Sequence, residues 1–162
     1  MKHLRLLYLL FILLLVLGCE KNADKSVENS LPLEGTVWKE MTIDYSKTIY
    51  IFYSYGSDGS YCERHYRWVD ADNCCVFVYE NNGYYERDYS KKYLSYVLTY
   101  TSIDVKQEIY LVPSAASGFY ELWFGNYGTG DKAWVKHNVE RVESFPPAGP
   151  INTDGSPYSG NI

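Results

Sequence analysis

The chain has 162 residues and a formal net charge of −5 at pH 7, with 18 tyrosines and 4 tryptophans. An acidic chain lacks the basic surface that nucleic-acid binding requires, so we exclude nucleic acid as a partner. It also lacks the polybasic patch that would attract an anionic membrane. Its length allows for one domain with a single core.

The first eighteen residues have the pattern of a secretory signal. Lys2, His3 and Arg5 precede an unbroken apolar run at 6–17. A membrane-spanning helix needs about 20 residues, whereas the apolar core of a signal peptide has about 7–15. The run ends in Val16-Leu17-Gly18-Cys19, which resembles the lipobox of bacterial lipoproteins. The resemblance implies that 1–18 is a lipoprotein signal peptide and that Cys19 is acylated. The alternative is an ordinary cleaved signal followed by a coincidental cysteine.

Acylation of Cys19 would anchor the chain to a membrane. Each buried methylene contributes about 0.8 kcal/mol, so two or more acyl chains hold firmly. Residues 19–32 are rich in charged and polar side chains and are predicted to form a flexible tether behind the lipidated cysteine. Glu20 replaces the Asp that signals inner-membrane retention in enteric bacteria. The resemblance therefore implies the outer membrane of a Gram-negative envelope, with the periplasmic and surface faces both open.

Residues 33–145 are predicted to form a single all-β domain. Short apolar or alternating runs are separated by turn residues, as in a barrel or sandwich. Among the turns are 56–59, 70–73, Asn81-Asn82-Gly83 and 127–131, where Gly, Asn and Asp favour tight backbone bends. Strands are predicted near 35–43, 47–55, 60–69, 74–80, 84–89, 93–101, 105–113, 118–125 and 132–143.

Alternation of side chains indicates how these strands are arranged. Leu94, Tyr96, Leu98 and Tyr100 share one strand face, and mostly polar residues occupy the other. Such period-two patterns are typical of antiparallel sheets with one buried side. We therefore predict an up-and-down meander closed as a barrel of 8–9 strands, because closure removes exposed strand edges. A β-sandwich is the alternative.

The opening Leu33-Glu34-Gly35-Thr36-Val37-Trp38 resembles the lipocalin-like domains of small bacterial lipoproteins. In lipocalins Gly and Trp are separated by one residue, whereas Thr36 and Val37 separate them here. The resemblance implies that Trp38 closes one end of the barrel. It also implies that Arg141 from the last strand stacks on Trp38 through a cation–π contact.

The surplus of tyrosine has two interpretations. Broad rings pack well on a half-buried sheet, so they are first of all sheet material. They also supply ligand contact area at low entropic cost. We predict a barrel that binds a small apolar or sugar-like ligand, with candidate binding residues Tyr53, Tyr96, Tyr100 and Trp123. The alternative is an envelope interaction module that binds another protein through Tyr84, Tyr85 and Tyr89.

The sequence contains no recognisable catalytic or metal-binding motif. It has no nucleophile elbow, phosphate loop or His-Glu-Xaa-Xaa-His. His65 and His137 are single imidazoles in predicted strands and are expected to be solvated or hydrogen-bonded rather than metal ligands. We predict no enzymatic activity, no cofactor and no metal.

The three cysteines after Cys19 do not fit one obvious disulfide. An oxidising compartment favours pairing. If 60–69 and 74–80 form a regular hairpin, however, Cys62 lies on the order of 23 Å from Cys74, at about 3.3 Å per residue. A disulfide tolerates only about 4–7 Å between Cα atoms. Free buried thiols, a Cys62 bridge in a different hairpin, and a strained Cys74-Cys75 pair stay open.

Residues 146–162 begin Pro-Pro-Ala-Gly-Pro and continue with Gly155, Pro157 and Gly160. This composition offers little apolar surface to bury, so a disordered Pro/Gly-rich tail is predicted.

Overall fold

The computed structural model describes residues 28–103, 105–128 and 133–160 of the chain. Cys19 and the predicted signal lie outside these residues. The described part is all-β, and it contains no helix that could cross a bilayer. Its eight strands are β1 (Thr36–Asp44), β2 (Lys47–Tyr55), β3 (Ser60–Val69), β4 (Cys74–Arg87), β5 (Tyr96–Tyr100), β6 (Lys106–Pro113), β7 (Tyr120–Asn126) and β8 (Trp134–Val142).

The strands form a closed antiparallel barrel in chain order. Each strand pairs with the next, and β8 returns to β1 with Trp38 opposite Arg141. The predicted meander is confirmed, and the sandwich alternative is wrong. Closure follows from the alternation in the sequence, since a sheet with one apolar side can enclose that side completely by curling on itself.

The interior is packed at one end. Leu98, Ile109, Leu111 and Leu122 point inward and are fully buried. Leu33, also fully buried, precedes β1 and covers this end, where its backbone N–H donates to the Tyr96 hydroxyl at 3.3 Å. We call this the closed end. The hairpin loops between β1 and β2 and between β5 and β6 lie at the opposite, open end.

The closing segment begins earlier than the sequence predicts. The Leu31 N–H donates to the Leu111 carbonyl at 2.8 Å, and the Ser30 hydroxyl accepts the Leu94 N–H at 2.8 Å. The prediction of a flexible tether is therefore wrong for residues 28–32. The short strand β5 leaves backbone groups near Leu111 without a strand neighbour, and this segment pairs with them.

The predicted turn at Asn81-Asn82-Gly83 is wrong, because these residues lie inside the single long strand β4. Gly83 pairs with Tyr61 of β3 on one side and with Tyr100 of β5 on the other. A Cβ atom at Gly83 would lie 2.3 Å from the Thr99 carbonyl oxygen. Glycine therefore serves close backbone approach here and not chain reversal, and the barrel has eight strands.

We expect Gly83→Ala to destabilise the domain by about 1–3 kcal/mol, the usual range for overpacking. The added methyl group cannot fit unless the β4 or β5 backbone moves. Denaturant midpoints of the two proteins measure the effect. Gly149→Ala is the matched control, since a Cβ there meets nothing within 4 Å. Equal losses of stability in the two variants would contradict the close-approach explanation.

The predicted disordered tail is wrong for residues 146–160. Ile151 is fully buried against the outer face of the barrel, in a cluster with Phe52, Tyr66 and Cys75. Its N–H donates to the Cys75 carbonyl at 3.0 Å, and the Cys75 N–H donates back at 2.8 Å. We call residues 145–158 the C-terminal strap. The strap pairs with the part of β4 that β5 is too short to reach, which is why a Pro- and Gly-rich sequence is ordered here.

The β3–β4 hairpin confirms the geometric argument about the cysteines. Val69 pairs with Cys74, whereas Cys62 pairs with Asn82. All three thiols are free. Burial raises the pKa of Cys62 to about 12, with Glu80 adding to the effect, and burial also raises the pKa of Cys75 to about 11. Both groups are therefore protonated and poor nucleophiles at neutral pH.

Candidate functional site

A cavity of about 230 Å³ opens at the open end of the barrel. We call it the mouth cavity. Its polar wall comes from side chains that alternate inward along β2, β3, β5 and β8. Apolar contacts come from Ile51, Phe124 and Val135. The remaining lining residues are Tyr53, Glu63, His65, Tyr100, Gln107 and His137.

Glu63 is the most heavily hydrogen-bonded group of the cavity. Its carboxylate contacts His65 Nε2 at 3.0 Å and accepts from Asn81 Nδ2 at 2.7 Å and from the Tyr61 hydroxyl. Burial by itself would raise the pKa of this carboxyl group. The hydrogen bonds from His65, Tyr61 and Asn81 outweigh burial and lower the pKa from its ordinary value of 4.5. Glu63 is therefore a carboxylate at neutral pH.

A second buried carboxylate, Glu40, lies on β1, which is separated from Glu63's strand by β2. Glu40 Oε2 accepts the Tyr53 hydroxyl at 2.7 Å and contacts His137 Nδ1 at 2.8 Å. Burial, followed by the nearby Glu40 and Glu63 charges, raises the pKa of Tyr53 well above 10.0. Tyr53 therefore stays protonated, and its hydroxyl is the donor in the hydrogen bond to Glu40. Tyr53 is the link between the two carboxylates, since its hydroxyl donates to Glu40 and its strand partner in β3 is Glu63.

Two buried polar atoms at the cavity have no hydrogen-bond partner among the described residues. Gln107 Oε1 belongs to a lining side chain, and the Tyr55 hydroxyl lies one inward-facing position along β2 from Tyr53. Burial, followed by interactions with Tyr100 and Glu63, raises the pKa of Tyr55 well above 10.0. Buried groups without partners are costly, so an unpartnered Gln107 Oε1 in the cavity wall suits a site that a ligand fills.

The structure brings together two of the four predicted binding residues. Tyr53 and Tyr100 line the mouth cavity. Tyr96 also points inward but lies at the closed end, where its hydroxyl donates to Glu34 Oε2 at 2.7 Å. Trp123 lies outside the barrel and stacks on Tyr110 with 6.0 Å between ring centroids. The prediction that these four rings share one site is wrong, because Trp123 points to the opposite face of its strand and Tyr96 lies too far along the barrel.

Of the predicted closing pair, Trp38 lies at the closed end of the barrel, but Arg141 does not stack on it. Trp38 is 2% exposed at the closed end and packs edge-on against Tyr120 at 4.9 Å. Arg141 is its strand partner but is exposed, and its guanidinium makes no cation–π contact with Trp38 within the described ranges. The ring of Tyr120 thus takes the place that the lipocalin resemblance assigns to Arg141.

The predicted protein-binding patch is divided between the two faces of β4, which hold Tyr84 and Tyr85, and the loop after it, which holds Tyr89. Tyr84 and Tyr89 are exposed. Tyr85 points into the barrel, where its hydroxyl donates to the Gly56 carbonyl at 2.7 Å. The three rings therefore form no common surface.

Sequence reasoning missed Glu40, Glu63, His65 and His137 as members of one site. The alternation of side chains along the strands indicates this site. Glu63 and His65 point to the same side of β3 as the inward-facing Tyr61, and Glu40 points to the same side of β1 as Trp38. Both histidines are hydrogen-bonded to carboxylates. In the described part of the chain no three His, Cys, Asp or Glu side chains are placed to hold a metal ion.

A wider groove of about 400 Å³ lies on the outer surface between β1, β8 and the strap. Of the three charged residues that the structure describes in it, Lys39 and Glu140 form an ion pair with each other, and Asp154 accepts hydrogen bonds from Ser156. The mouth cavity, in contrast, combines buried carboxylates with polar atoms that lack partners. It is therefore the stronger candidate for a binding site.

No protein-family model matches this chain, and no curated protein or solved structure matches it either. The interpretation of the mouth cavity rests on its own side chains.

Proposed function

We propose that this chain is a binding protein that holds a small polar ligand in the mouth cavity of its barrel. The observation that carries the proposal is the concentration of polar groups inside an otherwise apolar barrel. Glu63 is only 7% exposed, and Glu40 is 9% exposed. Burying carboxylates in a largely apolar interior costs free energy. A titratable group that lines a cavity and has a shifted pKa, as Glu63 has, marks a candidate functional site.

The chemistry of the wall narrows the expected ligand. An entirely apolar ligand would cover both carboxylates without replacing the hydrogen bonds that water makes to them. A sugar-like or other hydrogen-bonding molecule fits better. The cavity is smaller than the clefts of about 300–1,000 Å³ that take drug-sized ligands, so the ligand is small. The proposal assigns binding and no reaction to the site.

We also propose that the barrel is tethered to the outer membrane of a Gram-negative envelope by acyl chains on Cys19. The support is the lipobox-like Val16-Leu17-Gly18-Cys19 and the apolar run before it. Cys19→Ser tests this part separately. The variant should leave the membrane fraction and lose the mass of the fatty acids, and a variant that stays membrane-bound without acylation would contradict the anchor.

Binding is tested by native mass spectrometry of the purified domain after incubation with a mixture of polar metabolites. We expect one small molecule to be retained by the unaltered domain and lost from Val135→Trp, because a bulky ring at the cavity entrance blocks entry. Val78→Trp is the matched control. Val135 and Val78 are similarly exposed, at 54% and 50%, but Val78 does not line the cavity. Retention of a ligand by none of the three proteins, or equally by all three, would contradict the proposal.

A protein-binding role is the second candidate, and a different observation favours it. The loops at the open end expose apolar side chains, with Ile43 at 72% and Tyr45 at 93%. Exposed apolar groups of this kind mark interaction sites when they are contiguous. Crosslinking in intact cells distinguishes this role, since capture of a partner by the unaltered protein should be lost in Ile43→Ser/Tyr45→Ser.

A further inference from the structure

The charged groups of the mouth cavity cannot make it positive. Glu63 lines the cavity and contacts His65, and Glu40 contacts the lining side chain of His137. The two carboxylates therefore each accompany one imidazole. With both imidazoles protonated the sum is zero, and with both neutral it is minus two. None of the described lining residues is lysine or arginine. An anionic ligand would meet repulsion or no attraction, whereas a cation is attracted.

Aromatic rings surround these charges. Tyr53 and Phe124 lie with 5.9 Å between ring centroids, and Phe124 lies 5.2 Å from His137. Tyr100 completes the wall on the other side. Ring faces attract a cation that comes within about 6 Å, and the attraction increases when water is excluded. Aromatic walls beside carboxylates therefore favour an organic cation over a neutral molecule of the same shape.

The buried polar atoms without hydrogen-bond partners indicate which kind of cation the cavity binds. Gln107 Oε1 accepts hydrogen bonds and has no donor within the described ranges. The Tyr55 hydroxyl, 1% exposed and close enough to Tyr100 and Glu63 to interact with both, also has no partner there. A protonated primary amine brings three N–H donors, whereas a quaternary ammonium brings none.

We propose that the ligand of the mouth cavity is a small organic molecule with a protonated primary amine, which binds at the Glu63 carboxylate with its carbon skeleton against the aromatic rings. This inference rests on the proposed binding function and specifies its ligand class. It makes the site selective by charge, since the cavity that attracts an ammonium group offers a carboxylate no lysine or arginine among its described lining residues.

Three probes of one size and different charge test the inference. Benzylammonium, benzyl alcohol and benzoate are titrated into the full domain at neutral pH, and binding is followed by amide chemical shifts. We expect benzylammonium to bind at least about tenfold more tightly than benzyl alcohol, and benzoate to bind least. Benzyltrimethylammonium should bind more weakly than benzylammonium, because it cannot donate to Glu63 or Gln107.

Variants assign the preference to the cavity. Glu63→Gln should reduce the advantage of benzylammonium over benzyl alcohol by about tenfold. Glu40→Gln provides a second reading if Glu63→Gln does not fold. Glu121→Gln is the matched control, because Glu121 pairs with Lys136 on the outer surface and its loss changes the net charge equally. We expect no change in the preference for that variant.

The outcomes separate this inference from the proposed function. Equal binding of the three probes, tighter binding of benzoate, or binding of glucose without benzylammonium would overturn the charge preference and leave the cavity a binding site. Shifts that survive Val135→Trp would place the probe elsewhere and count against both. Absence of any shift with all probes would count against the inference and the binding function together.

Discussion

Deleting residues 146–162 is expected to destabilise the barrel by about 3 kcal/mol or more, although the composition of this segment is that of a disordered tail. Replacing a buried Ile by Ala alone costs about 2–5 kcal/mol. The deletion also exposes Phe52 and Tyr66, both fully buried beneath the strap. Against a typical total stability of about 5–15 kcal/mol, such a loss leaves a marginal domain. Denaturant unfolding of the two proteins measures it.

The strap adds hydrogen bonds to this apolar contact. The Tyr66 hydroxyl donates to the Pro147 carbonyl at 2.6 Å, and the Tyr158 hydroxyl donates to the Asp72 carbonyl at 2.9 Å. Their loss leaves buried groups to be solvated, which adds to the cost. Proline also lowers the entropy that the segment must lose on ordering. These contacts explain why so few apolar residues suffice to hold the segment.

Two controls make this prediction specific. Removing only residues 159–162 leaves Ile151 and Tyr158 in place and should be nearly neutral. Ile151→Ala should reproduce about 2–5 kcal/mol of the loss, whereas Ile43→Ala removes a 72% exposed side chain and should change little. A full deletion that unfolds at the same denaturant concentration as the intact domain would show that the strap contributes nothing to stability.

The sequence predicts the barrel itself because alternation is a local property. Leu98 and Ile109 reveal their inward direction through their immediate neighbours, and the closed meander follows from repeating that pattern. The wrong prediction of a turn at Asn81-Asn82-Gly83 has the same cause, because it too rests on neighbouring residues alone. Turn residues and a glycine at a close strand crossing look alike until the partner strands are known.

The candidate site could be predicted only in part. It depends on how far along the barrel each side chain lies, as well as on whether the side chain points inward. Tyr96 has the correct direction, yet the register places it at the closed end beside Glu34. The aromatic ring of Trp123 makes it a candidate binding residue in the sequence, although Leu122 and Phe124 on either side are the inward-facing residues. The pairing of Tyr53 with Glu63, which places both in the cavity wall, depends on the β2–β3 register, and composition does not specify it.

Loss of the Glu63 carboxylate is the other change expected to have a large effect. Glu63→Ala should destabilise the domain by about 3–5 kcal/mol, the range for breaking a buried pair by removing one partner. The change leaves the Tyr61 hydroxyl and the Asn81 amide without their acceptor inside the barrel. Glu63→Gln keeps the volume and one acceptor oxygen, so it should cost less. Glu121→Gln, on the outer surface, should be close to neutral.

The pH dependence of this effect has a definite sign. Because hydrogen bonding holds the pKa of Glu63 below 4.5 in the folded chain, the unfolded state binds the proton more readily. The stabilisation by Glu63 is therefore fully present above pH 4.5 and is lost as the pH falls through the lower, folded-state value. The difference in unfolding free energy between the unaltered domain and Glu63→Gln should accordingly shrink on acidification. A difference that grows as the pH falls would mean that burial, rather than hydrogen bonding, controls the pKa of this carboxyl group.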